Sequence, residues 1–164
     1  MINGIVAVER NQGIGFKGQM PWPHLKGDMS WFRRITSGSV IIMGSTTWKS
    51  IGERPLPGRI NVVLSKSRNY SGDNRADHTF SDPETAVLFC ENEYVDKEIF
   101  IIGGSAVYQT YKGMIGRFYI TEIDSSYECD TFFDLAYVQK HFTKVKEHAR
   151  FTDPLPYMIK EYNL

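Results

Sequence analysis

The sequence predicts an α/β fold: a mostly parallel mixed sheet with helices on both faces and an antiparallel C-terminal edge. Two observations predict it. Up to residue 111, short β-branched runs alternate with helical patterns, which is typical of β–α units that build a parallel sheet. After Arg117, three strand patterns follow with no helix predicted between them, which indicates antiparallel strands added at the edge.

The individual elements are predicted from local patterns. Apolar and β-branched runs predict strands at residues 2–8, 39–43, 61–65, 98–102, 118–123, 142–149 and 157–162. Helices are predicted at residues 26–36, 46–51, 83 to about 90, and 105–111. Met29, Phe32 and Ile35 recur at helical spacing in the first helix, and Asp82 is the predicted N-cap of the third, with Pro83 at its first position. Residues 67–77 are polar and predict a surface loop.

Length and composition exclude several classes of protein. The 164 residues are 41% hydrophobic, so we expect a single domain, 1–164, with a sizeable core. Lys+Arg and Asp+Glu both number 19, so the basic excess typical of general nucleic-acid or anionic-membrane binders is absent. Cys90 and Cys129 form no disulfide framework, and neither these nor the four histidines show metal-site spacing. With no signal-peptide pattern or membrane-length apolar run, we expect a soluble, cytoplasmic monomer.

Residues 13–18 match the GxGxxG pattern after a predicted strand. A dinucleotide fingerprint needs a helix to begin at these glycines, so that its amides meet the pyrophosphate. Here Met20-Pro21-Trp22-Pro23 follows, which cannot form the first turns of a helix. The sequence therefore predicts a mobile, glycine-hinged loop of the kind that closes over a site.

Asp28 lies near the start of the first predicted helix, beside its apolar stripe. It has two interpretations. The carboxylate satisfies the amides and dipole of the helix N-terminus, or it lies in an apolar pocket with a raised pKa and handles a proton or grips an amidine-like group.

Three other turns also have two interpretations each. Gly103-Gly104 ends a strand before a helix, so it is either a phosphate-binding turn or a tight strand-to-helix turn. Gly44 also ends a strand, before a hydroxyl-rich helix start, so this segment is either a second phosphate-binding turn or a helix start with a hydroxyl N-cap. The Pro-rich turn at residues 54–59 carries Arg54 and Arg59. These guanidiniums either bind a carboxylate or belong to a turn that is simply solvated.

Taken together, an ordered set of segments resembles the dihydrofolate reductase family and covers nearly the whole chain. They include Asp28-Met29-Ser30-Trp31-Phe32, Thr47-Trp48-Lys49-Ser50-Ile51, Pro55-Leu56-Pro57-Gly58-Arg59-Ile60-Asn61, Ile101-Ile102-Gly103-Gly104 and Asp130-Thr131-Phe132-Phe133, with residues 5–8, 13–15, 20–22, 42–44, 107–108 and 121–123. The resemblance implies a sheet of about eight strands, about four helices, and NADPH-dependent reduction of 7,8-dihydrofolate to tetrahydrofolate for one-carbon metabolism and thymidylate synthesis. Antifolates are then expected ligands.

The resemblance also implies site residues. Asp28 grips the 2-amino group and N3 of the pterin, Thr121 supports that carboxylate, and Met20 and Trp22 belong to the closing loop. The pterin and benzoyl pocket comprises Ile5, Val6, Met29, Phe32, Ser50, Leu56 and Ile102, while Arg59 holds the glutamate α-carboxylate. The cofactor set is Ala7, Ile14, Gly44, Ser45, Thr46, Thr47, Leu64, Ser65, Lys66, Gly103, Gly104, Ser105, Ala106, Val107 and Tyr108, and the Gly103-Gly104 bond is expected to be cis.

Three departures from the family pattern stand out. Ser45 stands where many members have Arg, Cys129 where bacterial members often have Gly, and residues 23–27 are one residue longer than in many bacterial members. Neighbouring parallel strands should bring Ser45, Thr46, Ser65, Lys66 and Ser67 together. Lys66 is then predicted to meet the NADPH 2′-phosphate, with Arg68 second; the alternative is a solvated loop lysine.

Two other functions compete with this one. A pterin-like or flavin-precursor reductase of the same fold, such as the riboflavin-pathway reductase, would not need Asp28 or Arg59. A catalytically silent folate- or nucleotide-binding protein, for instance one built into a virus particle, would not need Asp28, Met20, Gly103 and Gly104 intact.

Overall fold

The computed structural model describes the backbone of residues 1–164 and all of their side chains except that of Asn74. Ten strands lie in this part of the chain: β1 (Ile2–Val8), β2 (Gly13–Gly15), β3 (Val40–Gly44), β4 (Ile60–Leu64), β5 (His78–Phe80), β6 (Ile99–Gly103), β7 (Arg117–Ile123), β8 (Thr131–Phe132), β9 (Lys144–Phe151) and β10 (Tyr157–Asn163). Eight of them form one sheet in the order β5–β4–β3–β6–β1–β7–β10–β9. Only the pairings of β10, with β7 and β9, are antiparallel in this sheet. The predicted mixed sheet is confirmed.

The described residues form five α-helices: α1 (Lys26–Thr36), α2 (Ser45–Ser50), α3 (Pro83–Glu93), α4 (Ser105–Tyr111) and α5 (Leu135–His141), with a 3₁₀ turn at Gly72–Asn74. Asp82 caps α3 as predicted, because its carboxylate accepts from the Thr85 amide at 2.8 Å. The prediction that no helix follows Arg117 is wrong, since α5 lies there. Its seven residues bury only Val138, which leaves too short an apolar period to recognise.

The buried face of α1 also differs from its prediction. Met29 is 42% exposed, whereas Trp31 is buried and Phe32 and Ile35 are half-buried. Trp31 packs edge-on against Tyr119 of β7, with ring centroids 5.9 Å apart. Helix α1 therefore packs against the sheet through Trp31, and Met29 lies at the edge of the buried face.

Two predicted loops contain more structure than expected. Tyr70 and Ala76 are buried within residues 67–77, and the Tyr70 ring lies 6.2 Å from that of Trp48. Strand β5, which was not predicted, follows directly. Residues 13–15 of the predicted mobile loop form β2, which pairs with β8. Both cases depend on partners distant in sequence, so no local pattern predicts them.

The register of the central strands determines where the site lies. Gly44 of β3 pairs with Leu64 of β4, and Met43 pairs with Gly103 of β6. The carboxyl ends of these parallel strands therefore meet at one edge of the sheet, where ligands of open α/β sheets bind. Alternate residues of β3 enter two different apolar clusters, so both faces of the sheet are covered. No helix among the described residues has the length and apolar character needed to cross a membrane.

Candidate active site

Asp28 lies in the first turn of α1 and faces β7. The Thr121 hydroxyl donates to its Oδ1 at 2.5 Å. Burial raises the pKa of the Asp28 carboxyl above its ordinary value of 3.8, and the Thr121 hydrogen bond partly opposes this. A half-buried carboxylate bonded to a different element favours the pocket interpretation of Asp28 over the helix-terminus interpretation.

Tyr157, in β10, holds the first turn of α1 in place. The Gly27 amide donates to its hydroxyl oxygen at 3.0 Å, and its ring stacks on Phe151 with centroids 4.7 Å apart. A Cβ added at Gly27 would lie 2.4 Å from the Phe151 ring, so only glycine permits this approach. Sequence analysis missed Tyr157, because it is 130 residues from Gly27 and meets it only through the antiparallel edge.

A cavity of about 110 Å³ opens beside Asp28. It brings together predicted site residues and others that were not predicted: Met20, Trp22, Asp28 and Met29, with Gln19, Pro23, His24 and Leu25. Trp22 is buried, whereas Met20 is 53% exposed at the mouth. The carboxylate therefore lies in an apolar recess bordered by residues 19–25.

Several predicted pterin-pocket residues share one apolar cluster. Ile5 of β1 packs in it with the half-buried side chains of Phe32, Leu56 and Ile102. Val6 belongs to the cluster on the other face of the sheet, together with Tyr108. The Tyr108 hydroxyl nevertheless reaches β1 and donates to the Ile5 carbonyl at 2.6 Å. Ser50 is exposed, and its hydroxyl donates to the Thr47 carbonyl at 2.7 Å.

The Arg59 guanidinium is held in a fixed orientation. Its Nε donates to the Pro57 carbonyl at 3.0 Å, its Nη1 donates to the Thr36 hydroxyl at 3.2 Å, and the group lies 5.9 Å from the Phe32 ring centroid. Burial, and secondly Arg33, lower the pKa of Arg59. Among the described residues, no carboxylate forms an ion pair with it. An oriented, unneutralised guanidinium suits capture of an anion.

The two glycine turns meet between β3 and β6. A Cβ at Gly44 would lie 2.9 Å from the Val107 side chain, and one at Gly103, whose φ is +124°, would lie 3.4 Å from the Thr47 hydroxyl. That hydroxyl is also 3.6 Å from the Cβ position of Gly104. The surface between the two turns therefore consists of backbone atoms, with the Thr47 hydroxyl beside them. Apart from the Val107 amide, which donates to the Gly104 carbonyl at 3.0 Å, the first-turn amides of α2 and α4 lack intrahelical acceptors, so these residues fit a phosphate-bearing dinucleotide.

The predicted 2′-phosphate residues follow β3 and β4 directly. Because Gly44 pairs with Leu64, Ser45 and Ser65 leave the sheet side by side. The Ser65 hydroxyl accepts from the amides of Ser67 at 3.4 Å and Arg68 at 3.2 Å. Lys66 is exposed. Hydrogen bonds from Thr85 lower the pKa of Asp82, and the positive charge of Lys66 adds to this effect. Lys66 therefore lies within electrostatic range of Asp82.

Residues 13–22, which we name the closing segment, are bonded to residues 124–132. Besides the β2–β8 pairing, the Asp130 amide donates to the Gly15 carbonyl and the Lys17 amide donates to the Asp130 carboxylate, both at 2.9 Å. A Cβ at Gly13 would lie 2.2 Å from the Cys129 sulfur, so glycine is required here. The structure thus places the closing segment against residues 124–132, although sequence analysis predicted a mobile loop.

A larger cavity, of about 240 Å³, lies between α4 and α5 and is separate from Asp28. It shares Ser105 and Tyr108 with the predicted cofactor set, and half of its other lining residues are aromatic: Phe118, Phe132, Phe133 and Tyr137. Among the described residues, no group of three or more His, Cys, Asp or Glu side chains is arranged to hold a metal ion. Asp28 lines the smaller recess and not this cavity.

Comparison with known proteins decides the family. A family model described as Dihydrofolate reductase matches residues 1–163. The chain belongs to the dihydrofolate reductase family. It is 41% identical to the viral dihydrofolate reductase of Saimiriine herpesvirus 2 (strain 488), over 81% of this chain and 68% of the relative. It is 36% identical to the dihydrofolate reductase of Rattus norvegicus, over 85% and 82%, and 41% identical to that of Haemophilus influenzae (strain Rd), over 79% and 76%.

Membership of the dihydrofolate reductase family confirms the resemblance and makes the chain an oxidoreductase by family. The Gly103-Gly104 bond is cis, as the resemblance implied. In this reductase fold, Cys129 contacts the root of the closing segment at Gly13, while Ser45 begins α2 beside the Gly44 turn. Of the three departures from the family pattern, Cys129 therefore lies beside the closing segment and Ser45 beside the Gly44 turn, while part of residues 23–27 lines the recess.

Proposed function

We propose that the protein catalyses the NADPH-dependent reduction of 7,8-dihydrofolate to 5,6,7,8-tetrahydrofolate. The observation that carries this proposal is the half-buried Asp28 carboxylate, bonded to Thr121 and facing a recess bordered by Met20 and Trp22. A single carboxylate in an apolar pocket matches the amidine-like edge of a pterin, formed by N3 and the 2-amino group. The named relatives support the same substrate.

Asp28 orients the pterin and changes its basicity. Because Asp28 binds the edge that carries N3 and the 2-amino group, it faces away from N5, the atom that must be protonated. We therefore assign direct protonation of N5 to a water molecule admitted at the Met20 end of the closing segment. Closure of Met20 and Trp22 over the recess limits further access of water and strengthens the electrostatic contacts inside it.

The residues around the Gly44 and Gly103-Gly104 turns are proposed to hold NADPH. Thr47 and the first-turn amides of α2 and α4 would supply hydrogen-bond donors to its phosphates, and Ala7, Ile14 and Tyr108 would lie on its nicotinamide and pyrophosphate side. When bound, the cofactor supplies the hydride, and the protein supplies orientation and electrostatics. Reduction of dihydrofolate in this way would supply tetrahydrofolate for one-carbon metabolism and thymidylate synthesis.

A monomer in the cytoplasm is the proposed state of the enzyme. The formal net charge is zero, and neither Cys90 nor Cys129 is in a disulfide, which fits a reducing compartment.

The proposal is tested by following absorbance at 340 nm with dihydrofolate and NADPH. We expect decay that requires both compounds and stops with a diaminopyrimidine antifolate. Dihydrofolate that binds without any decay, at high protein concentration, would identify a silent binder. Decay with a flavin precursor and not with dihydrofolate would identify the other reductase activity of this fold.

Cofactor preference provides a further prediction. We expect the Lys66→Ala variant to lower the NADPH/NADH ratio of kcat/KM by about fivefold, because the exposed ammonium attracts the 2′-phosphate but is screened by salt. Asp82 partly offsets the charge of Lys66, and Ser45 supplies no guanidinium, so the wild-type preference for NADPH should be modest. The matched control is Lys146→Ala, an exposed lysine on β9 at the opposite edge of the sheet. An unchanged ratio in Lys66→Ala would show that Lys66 is a solvated lysine.

A further inference from the structure

Glu9, which directly follows β1, is a buried carboxylate that the mechanism above does not use. Its side chain is 2% exposed. One oxygen, Oε2, accepts from the amides of Asn11 at 2.8 Å and Gly13 at 2.6 Å. The other, Oε1, accepts from the Tyr127 amide at 3.1 Å. Among the described residues it forms no ion pair, so backbone amides alone compensate its burial.

The two oxygens of Glu9 serve two different parts of the chain. Asn11 and Gly13 form the turn that leads into the closing segment, whereas Tyr127 lies in residues 124–132. The same two parts meet again farther along, where Lys17 bonds to Asp130. Glu9 therefore lies at the root of the closing segment, and the Lys17–Asp130 bond lies farther along it.

A second link between these parts is exposed. The Arg10 guanidinium bonds to the Asp124 carboxylate at 2.8 Å, but the two side chains are 57% and 70% exposed. Exposed pairs contribute little, because water and salt compete for both charges. Hydrogen bonds to a charged acceptor are stronger where water is excluded, so the buried Glu9 link should dominate.

We propose that Glu9 is a positioning residue for the reductase reaction: it fixes the root of the closing segment against residues 124–132 and so sets how completely Met20 closes over Asp28. It acts through the backbone and contacts neither substrate nor cofactor. The inference rests on the proposed function, since closure matters only where the recess beside Asp28 binds substrate.

The Glu9→Gln variant separates the two halves of the Glu9 network. An amide has one acceptor oxygen, which we expect to face the Asn11 and Gly13 amides, and its NH₂ group then opposes the Tyr127 amide donor to donor. The turn is kept and the Glu9 bond to the Tyr127 amide is lost, while the Arg10 amide still donates to the Ser125 carbonyl at 3.0 Å and β2 still pairs with β8. Amide hydrogen exchange at Lys17 and Asp130, measured by NMR, should become on the order of tenfold faster. Exchange at the core amides of β3 and β6 should not change.

Activity supplies the second readout. The single-turnover rate of Glu9→Gln should fall by up to about tenfold, following the lost population of the closed state, with a smaller change in KM for dihydrofolate. The Glu9→Asp variant keeps the charge, but its side chain is too short to bond both to the Asn11 and Gly13 amides and to residues 124–132. It should therefore accelerate exchange at the same amides. This variant replaces Glu9→Gln in the test if Glu9→Gln does not fold. In Arg10→Gln, exchange at Lys17 and Asp130 should remain near that of wild type.

Three results would overturn the positioning role of Glu9. These are unchanged exchange at Lys17 and Asp130, equal acceleration at the core amides, and a single-turnover rate that does not fall. Acceleration of equal size in Arg10→Gln would contradict the assignment to the buried carboxylate. Failure of the proposed function would give a different result: the wild-type protein would consume no NADPH with dihydrofolate. The amide exchange rates of wild type and variants could still be compared in that case.

Discussion

Replacing Asp28 by Asn is expected to lower kcat/KM at pH 7 by roughly 100-fold to 1,000-fold, as loss of a positioned electrostatic group at a reacting centre does. The amide keeps the shape of the side chain and the contact with Thr121, but it loses the charge that complements the pterin. Activity should partly recover in acidic buffer, where dihydrofolate is already protonated. The measurement is kcat/KM against pH for the wild type and the variant.

The same substitution should not destabilise the protein near neutral pH. Burial raises the pKa of Asp28 in the folded state, so the protonated form favours folding and this contribution is lost as pH rises through the folded pKa. The Asn variant has no charge to bury, and its Tm relative to wild type should therefore be higher at pH 7 than in acid. Glu147→Gln, the same change on an exposed strand, is the activity control. Normal turnover of Asp28→Asn at pH 7 would refute the role of Asp28.

Replacing Arg59 by Ala is expected to cost about 2–5 kcal/mol of affinity for dihydrofolate and for methotrexate, because a bidentate, charge-assisted pair with the glutamate carboxylate is lost. Arg59 is already oriented by Pro57 and Thr36, and it lacks a carboxylate partner among the described residues. A diaminopyrimidine without a glutamate tail, such as trimethoprim, should bind the variant nearly as well as the wild type. Calorimetric or fluorescence titration of the three ligands measures the difference.

Arg54→Ala is the matched control for Arg59, because this guanidinium lies on the same Pro-rich segment but is exposed. It should leave all three affinities near their wild-type values. Equal losses for methotrexate and for the tailless diaminopyrimidine in Arg59→Ala would instead indicate a general disturbance of the pocket and count against capture of the glutamate carboxylate.

Local patterns predicted most of the elements because these carry their own signals. Asp82 and Pro83 mark the start of α3, and the apolar runs of β1, β3 and β6 are long enough to recognise as buried strands. Helix α5 and strand β5 are short, and β2 exists only through its pairing with β8. Their formation depends on distant partners, which local periodicity cannot describe.

The candidate site likewise has features that the sequence shows and features that depend on tertiary contacts. The residue types at Asp28, Arg59 and the two glycine turns were visible in the sequence, yet each had two interpretations. Tertiary contacts favour one of them for Asp28, because Thr121, 93 residues away, bonds to its carboxylate and burial raises the pKa of the carboxyl. Burial likewise distinguishes the half-buried Arg59 from the exposed Arg54.

By itself, the sequence determined the fold class, the order of most elements and, through its ordered motifs, the family, because these depend on periodicity and residue type along the chain. Only the tertiary structure decided that Tyr157 holds the first turn of α1, that residues 124–132 contact the closing segment, and that Glu9 joins the two. Each of these contacts links residues more than 100 positions apart. Their geometry arises from strand register and burial, which exist only after the chain has folded.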